Sequence, residues 1–281
     1  MHGLKTASCQ SINLKGKLET FEKPQIMGIL NVTPDSFFDG GQHNTLDAAS
    51  VKAIQLIEQG ADILDIGAYS SRPGAAPISI QEEIDRALPI IEYLATNTPE
   101  IVLSIDTFRA EVAHAAIQAG AHIINDISGG NLDENMFSTV AKLQVPYILM
   151  HMRGTPETMQ QLTEYEDIVE DIAIYFGQRV ASLRNMGVKD IILDPGFGFS
   201  KTITQNYELL HRIGELHYMG LPLLGGISRK SMIYKKLEIT PQESLSATTA
   251  LNTVLLQHGV QLLRVHDVLE AKQLIHLFYN Q

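Results

Sequence analysis

The sequence predicts an α/β fold, a single (β/α)8 barrel, on three observations. Short apolar, β-branched runs alternate with helix-period segments along nearly the whole chain, which is the pattern of parallel βαβ units. Eight such pairs occupy roughly 250 residues, a size that suits a closed TIM barrel better than an open sheet. No Ser-, Gly- or Pro-rich stretch and no charge block divides the 281 residues, so 26–281 reads as one domain, with 1–25 packed on it.

At the N-terminus, 7–21 alternates apolar and polar residues around Lys15-Gly16-Lys17, which predicts a hairpin capping the bottom of the barrel. The strands are expected over 25–32, 62–67, 101–106, 122–127, 147–151, 191–195, 221–227 and 261–266, nearly continuous apolar runs as burial on both faces requires. Helical periodicity follows each in turn, over 46–59, 81–96, 109–119, 135–143, 165–186, 206–217, 229–237 with 241–258, and 267–278.

Composition narrows the function. With 44% hydrophobic and 19% charged residues, 21 Gly and 11 Pro, the chain is neither disordered nor collagen-like. Its 32 acidic against 21 basic residues, a net charge of -11, give no support to a general nucleic-acid or anionic-membrane surface. Any anionic ligand must therefore be held by local basic residues. The single cysteine, Cys9, excludes an intramolecular disulfide and a Cys-based metal site and agrees with a reducing, cytoplasmic setting. No run reaches the roughly 18 apolar residues of a membrane span, and 1–10 lacks the basic-then-apolar pattern of a targeting signal.

In such barrels the active site lies where strands end and βα loops begin. Asn31, Asp65, Asp106, Asn125 with Asp126, His151, Asp194, Ser228 and His266 all fall there. Any one of them reads equally as a helix N-cap; their convergence reads as a site. The first loop, 31–41, carries Phe37 and Phe38 among polar turn residues, as a lid or a rim-packed connector. In the second, Tyr69-Ser70-Ser71-Arg72-Pro73-Gly74 sets a guanidinium among hydroxyls, an arrangement suited to phosphate oxygens. Ser228-Arg229-Lys230-Ser231 opens a helix after the seventh strand and Arg264-Val265-His266 ends the eighth, so several cations would face one anion. Across from them, Asp106, Asn125 and Asp194 suit a flat heterocycle bearing N–H groups. His151 reads equally as a satisfied rim histidine, a carboxylate pair for glycoside cleavage fits the basic cluster poorly, and no His-x-x-x-His pair suggests zinc.

Taken in order, Met27-Gly28-Ile29-Leu30-Asn31-Val32-Thr33-Pro34-Asp35-Ser36-Phe37, Asp65-Ile66-Gly67 through Ser70-Ser71-Arg72-Pro73-Gly74, and Asp106-Thr107 open a longer series. Ile124-Asn125-Asp126, Met150-His151-Met152, Asp194-Pro195-Gly196-Phe197-Gly198-Phe199, Gly226-Ile227-Ser228-Arg229-Lys230-Ser231 and Arg264-Val265-His266-Asp267 complete it. On these motifs the chain resembles the dihydropteroate synthases, a family of pterin-binding enzymes, over 27–268. The resemblance implies a transferase of folate biosynthesis that condenses 6-hydroxymethyl-7,8-dihydropterin pyrophosphate with p-aminobenzoate, with Mg2+ as cofactor. It implies Asp106, Lys230 and Arg264 as catalytic residues. Asp106, Asn125, Ile127, Met150, Asp194, Phe199, Gly226, Lys230 and Arg264 would bind the pterin. Asn31, Ser71, Arg72, Arg264 and His266 would bind pyrophosphate, with Asn31 on the metal. Phe37, Ser71, Pro73, Phe199, Lys230 and Ser231 would frame p-aminobenzoate. A homodimer and competition by sulfonamides are implied as well, the apolar final helices (245–256 and 268–277) offering a dimer face.

The chain departs from the family in its second loop, where Gly67-Ala68-Tyr69-Ser70-Ser71-Arg72-Pro73 stands for the common Gly-Gly-Glu-Ser-Thr-Arg-Pro. Tyr69 adds bulk there, and loop mobility and p-aminobenzoate affinity are what it puts at issue. The nearest rival is a methyltetrahydrofolate-binding methyltransferase barrel, which handles no pyrophosphate and needs neither Arg72 nor the basic loops. The other is a catalytically silent pterin-binding homologue, against which Asn31, Asp106, Lys230 and Arg264 argue.

Overall fold

Two successive residues at positive φ, Lys15 (53°) and Gly16 (77°), reverse the chain near its start in the mirror-image turn that matches strand twist. They join β1 (Ser11–Leu14) to β2 (Lys17–Thr20) in antiparallel register. The hairpin lies within the sequence range expected for it. The computed structural model describes residues 10–33, 42–70 and 76–279.

Eight parallel strands follow: β3 (Gln25–Asn31), β4 (Ile63–Gly67), β5 (Val102–Asp106), β6 (Ile123–Asp126), β7 (Tyr147–Met150), β8 (Ile191–Asp194), β9 (Leu224–Gly225) and β10 (Leu262–Val265). They run in the order β8-β7-β6-β5-β4-β3-β10-β9, and a parallel bridge between Leu193 and Leu223 joins the two ends, closing the barrel. That seam is where the sequence reading overshoots: a strand expected over 221–227 pairs only across Leu224–Gly225. Pro222 has no N–H to give, and the Leu223 N–H goes to the Gln261 side chain at 2.8 Å instead of to a neighbouring strand. Gly225 then packs so closely on the outer helices that a Cβ there would meet Leu255 Cδ1 at 2.5 Å.

The outer ring is α1 (Gln42–Glu58), α2 (Ile80–Asn97), α3 (Ala110–Gln118), α4 (Met136–Leu143), α5 (Ile168–Asn185), α6 (Ile203–Arg212), α7 (Ser231–Leu237), α8 (Leu245–Gln257) and α9 (Val268–Tyr279). Local chemistry sets several boundaries. The Asp167 side chain accepts from Val169 and Glu170 N–H groups, so α5 begins at Ile168 and not at 165. Thr202 and Gln205 form a reciprocal capping box that starts α6 three residues ahead of the expected 206. The helix expected over 206–217 tightens into a 3-10 turn at Ile213–Met219.

Strand parity divides the apolar residues. Ile26, Leu64, Leu103, Ile124, Leu149, Leu193 and Leu263 pack with the helices in one core. Their neighbours Met27, Ile63, Ile123, Ile148, Ile192, Leu224 and Leu262 form a second cluster with Ile12 and Leu14 of the hairpin. Because side chains alternate along a strand, this second cluster is the lowest level of the barrel interior and the hairpin is its plug. Lys15 ties the plug down, donating to Pro99 O at 2.6 Å and Ile101 O at 2.7 Å.

Candidate active site

Two residues further along the same strands, still on the inward parity, come Ile29, Asp65, Ser104, Asn125, Met150, Asp194, Gly226 and Arg264. Five of these eight are polar, and Asp65, Asn125 and Arg264 bond to one another. Arg264 donates through Nε to Asp65 Oδ2 and through NH2 to Asp106 Oδ2, both at 2.6 Å. Asn125 Nδ2 donates to the same Asp65 oxygen at 2.9 Å. Asp65 is fully buried; Asp106, one step higher at the end of β5, keeps 21% side-chain exposure through the open mouth.

The electrostatics follow from burying charges of both signs close together. Burial pushes the Asp106 carboxyl up to about 7, with Arg264 opposing the shift and Asp65 adding to it. Asp194 is raised by burial against the pull of Lys230. Burial lowers Lys230 to about 8, opposed by Asp194. Burial also works against the charge on Arg264, but the carboxylates of Asp65 and Asp106 more than offset it, so the guanidinium stays a cation.

After β8 the chain turns through Gly196, whose N–H donates to Asp194 Oδ1 at 2.8 Å. Lys230 reaches this loop, donating to Phe197 O at 2.5 Å and standing 4.8 Å over the Phe199 ring. Lys201, two residues past the Asp194–Phe199 motif, is 4% exposed. Its ammonium meets Gly196 O at 2.9 Å, Phe199 O at 3.0 Å and His151 Nδ1 at 3.1 Å. Three acceptors match its three donors, so Lys201 is the clip that shapes the Asp194–Phe199 turn. His151 is 1% exposed, sits edge-on to Tyr175 at 4.9 Å and is lowered well below the usual imidazole range by burial and then by Lys201. It is a neutral part of the wall.

The expected cation cluster after β9 divides. Arg229, at φ 56°, turns away and holds Asp267 through Nε and NH2 at 3.2 and 2.5 Å, leaving Lys230 to face the Asp194 side alone. Ser228 Oγ and His266 Nδ1 meet at 3.0 Å, so these two strand ends do stand side by side. Ser231 opens α7 next to Lys230 and is half-buried. Gly226 leaves room that a side chain would fill: a Cβ would lie 3.7 Å from Arg264 Cβ and 3.8 Å from Lys230 Nζ. Ile127 and Met150 join Met152, Met159, Phe108 and Phe199 in an apolar patch on the rim. On the opposite strands, a Cβ on Gly67 would lie 3.4 Å from Asn31 Oδ1 and 3.7 Å from Asp106 Oδ2, which sets those two oxygens on either side of the glycine. Phe37, Ser71, Arg72 and Pro73 lie outside the described residues.

Tyr69, the bulky departure, has a seat. Its ring meets Phe108 edge-on at 5.0 Å and lies 5.2 Å below the Arg109 guanidinium. Arg109 is itself held by buried Glu83 at 2.8 Å, which also accepts from Thr107 at 2.6 Å. Asp126, grouped with Asn125 by sequence, faces the other way: it accepts from Tyr147 OH at 2.7 Å and from the Ser128 and Gly130 N–H groups, a structural anchor outside the barrel. Asp65 and Lys201 are the residues that sequence reasoning left without a task. Asp65 had the signal of a carboxylate at a strand end, whereas nothing in the sequence marks Lys201 as buried.

Among the described residues no three His, Cys, Asp or Glu side chains gather to hold a metal ion, and no helix is long and apolar enough to cross a membrane. The pterin binding enzyme family model matches residues 27–266. The dihydropteroate synthase of Escherichia coli is 44% identical over 250 residues, covering 88% of both chains. A Yersinia pestis dihydropteroate synthase solved with a sulfonamide drug superposes with a TM-score of 0.89 at 41% identity, over 95% of this chain and 98% of that one. A Xanthomonas albilineans dihydropteroate synthase solved with 4-aminobenzoic acid superposes at 0.90 with 37% identity, over 97% and 98%.

Proposed function

This chain belongs to the pterin binding enzyme family, among the dihydropteroate synthases, and from that premise we infer how its barrel mouth condenses dihydropterin pyrophosphate with p-aminobenzoate. The observation that carries the reading is the polar interior level, where Asn125 and Arg264 bond Asp65, Arg264 also holds Asp106 above them, and Asp194 stands within electrostatic reach of Arg264 and Lys230.

In the reaction the bond between the pterin methylene carbon and a pyrophosphate oxygen breaks, the arylamine nitrogen bonds to that carbon, and the nitrogen gives up a proton. Asp194 and Asn125 accept N–H groups of the pterin ring, and Ile127, Met150 and Phe199 line its apolar sides. Lys230, pinned by Phe197 O, donates to the ring edge facing it. As positive charge develops on the methylene carbon, ionised Asp106 stabilises it, with Arg264 holding that carboxylate in place. The arylamine is neutral and already carries a free lone pair, so orientation matters more than a strong base. This is why neutral, buried His151 has no catalytic task.

Arg264 and His266 receive the pyrophosphate, joined by Ser71 and Arg72 of the second loop. The ion pairs to Asp65 and Asp106 use Nε and NH2 of Arg264 and leave NH1 for this anion. The donor set suits Mg2+, which takes few protein ligands and completes its shell with phosphate oxygens and water. Asn31 offers a hard oxygen beside Gly67 and would hold it. When bound, Mg2+ spreads the charge of the leaving pyrophosphate. Phe199, Lys230 and Ser231, with Phe37, Ser71 and Pro73 from the loops, frame p-aminobenzoate, and sulfonamides would compete for that slot. Two copies would pair through the final helices, where Leu269 and Leu277 are exposed, and the single cysteine suits a cytoplasmic setting.

Pyrophosphate release tests the reading. It is expected only when both substrates are present and in equal amount to the dihydropteroate formed; no release with both present would refute it.

A further inference from the structure

Asp65 touches two residues that have work in the reaction, Arg264 and Asn125, through one oxygen. We propose that Asp65 is a positioning residue for the condensation: it turns the Asn125 amide so that its carbonyl oxygen faces the pterin, and it fixes the plane of the Arg264 fork against Asp106. The inference rests on the dihydropteroate synthesis described above.

The amide orientation follows from donor chemistry. An ionised carboxylate only accepts, so the 2.9 Å contact to Asp65 requires the NH2 end of Asn125, which leaves its oxygen as the other end. With Asp194 also an acceptor, the floor then presents two acceptors to the ring. It favours a heterocycle with N–H groups on that edge and leaves a ring with acceptors there facing unpaired lone pairs. The Arg264 argument is geometric as well. Bonds from Nε to Asp65 and from NH2 to Asp106, each 2.6 Å, fix a planar group at two points. With one anchor removed, the guanidinium is free to swing about the other. Asp65 is wholly buried, and all its compensation comes through Oδ2, since Oδ1 has no hydrogen-bond partner among the described residues; the Arg264 and Asn125 contacts are therefore what its charge rests on. Its register neighbour Ser104 is just as buried, yet its Oγ has no hydrogen-bond partner among the described residues. Depth in the barrel therefore does not by itself bring contact with the site.

The test is a comparison of parent, Asp65→Asn, Ser104→Ala, Arg264→Lys and the Asp65→Asn/Arg264→Lys pair, measured by steady-state kinetics and by calorimetric titration with 6-hydroxymethylpterin. Parent turnover tests the reaction itself; the Asp65 variants test only the positioning role. Asp65→Asn keeps the shape and one acceptor oxygen but removes the negative charge, so the charge-assisted bond from Arg264 Nε and the strong acceptor for the Asn125 NH2 group are lost. It is expected to weaken pterin binding and lower kcat/KM for the pterin substrate at least tenfold, while Ser104→Ala stays within threefold of the parent. In the Arg264→Lys background the same Asp65 change is expected to cost less than it does in the parent, because the fork is already gone and only the orientation of the Asn125 amide is left to lose. Pterin affinity and kcat/KM within threefold of the parent in Asp65→Asn would overturn the proposal. So would a loss that persists in full in the Arg264→Lys background. If Asp65→Asn does not fold, Asp65→Ser is read by the same criteria.

Discussion

The lowest level of the barrel interior and the level two residues above it are built by the same strands on the same parity, yet one is a core and the other a site. Along β4 the step is from Ile63 to Asp65, along β6 from Ile123 to Asn125, along β8 from Ile192 to Asp194, and along β10 from Leu262 to Arg264. Below, aliphatic side chains meet Ile12 and Leu14 of the hairpin and exclude water. Above, Asp65 and Asp106 share the Arg264 cation, and burial drives Asp106 and Lys230 to about 7 and about 8. Burial of apolar surface stabilises the lower level, whereas paired charges at best break even against their desolvation. The fold thus keeps stability and chemistry on one set of strands by changing residue type at a fixed height.

Mutations sharpen that division when they move one property and spare the other. The largest effect on stability is expected below: Ile148→Ala removes a fully buried side chain and should cost about 2–5 kcal/mol in denaturant unfolding, with kcat per folded molecule unchanged. A lowered kcat with an unmoved midpoint would break the division. On the upper level, Arg264→Lys keeps the charge but loses the fork, so kcat/KM per folded molecule should fall tenfold or more, roughly 1.4 kcal/mol. Unchanged kinetics would take Arg264 out of the site.

The pH profile belongs to the upper level alone. Asp106 acts ionised, so protonation below about 7 should lower kcat/KM; Lys230 acts protonated, so its loss of a proton above about 8 should lower it again. The optimum is expected between those values, and a profile flat from about pH 6 to 9 would contradict both roles. The smallest effect is expected at the plug. Gly16→Ala meets no atom within 4 Å, so only its φ of 77° matters, at about 1 kcal/mol, with no change in kinetics.

The barrel was legible because its signals are local: runs of β-branched residues, helix periods and turn residues each act over a few positions. Strand β9 was not, since its shortness depends on Gln261, far along the chain, taking the Leu223 N–H. The site was legible as a set of strand ends and illegible as a set of directions. Asn125 and Asp126 are adjacent and face opposite sides of the wall. Arg229 and Lys230 are adjacent too, and the left-handed turn at Arg229 sends one to Asp267 and the other to Phe197 O. Asp65 acquires its role from Arg264, a partner 199 residues away that no local pattern reveals.

The claim that the upper level reads the pterin while the lower one only supports it is tested most directly by calorimetric titration of 6-hydroxymethylpterin into the parent, Asp194→Ala and Ile148→Ala. The account predicts at least a hundredfold loss of affinity in Asp194→Ala, roughly 2.7 kcal/mol, and affinity within threefold of the parent in folded Ile148→Ala. Affinity within threefold of the parent in Asp194→Ala, or an equal loss in both variants, would contradict it.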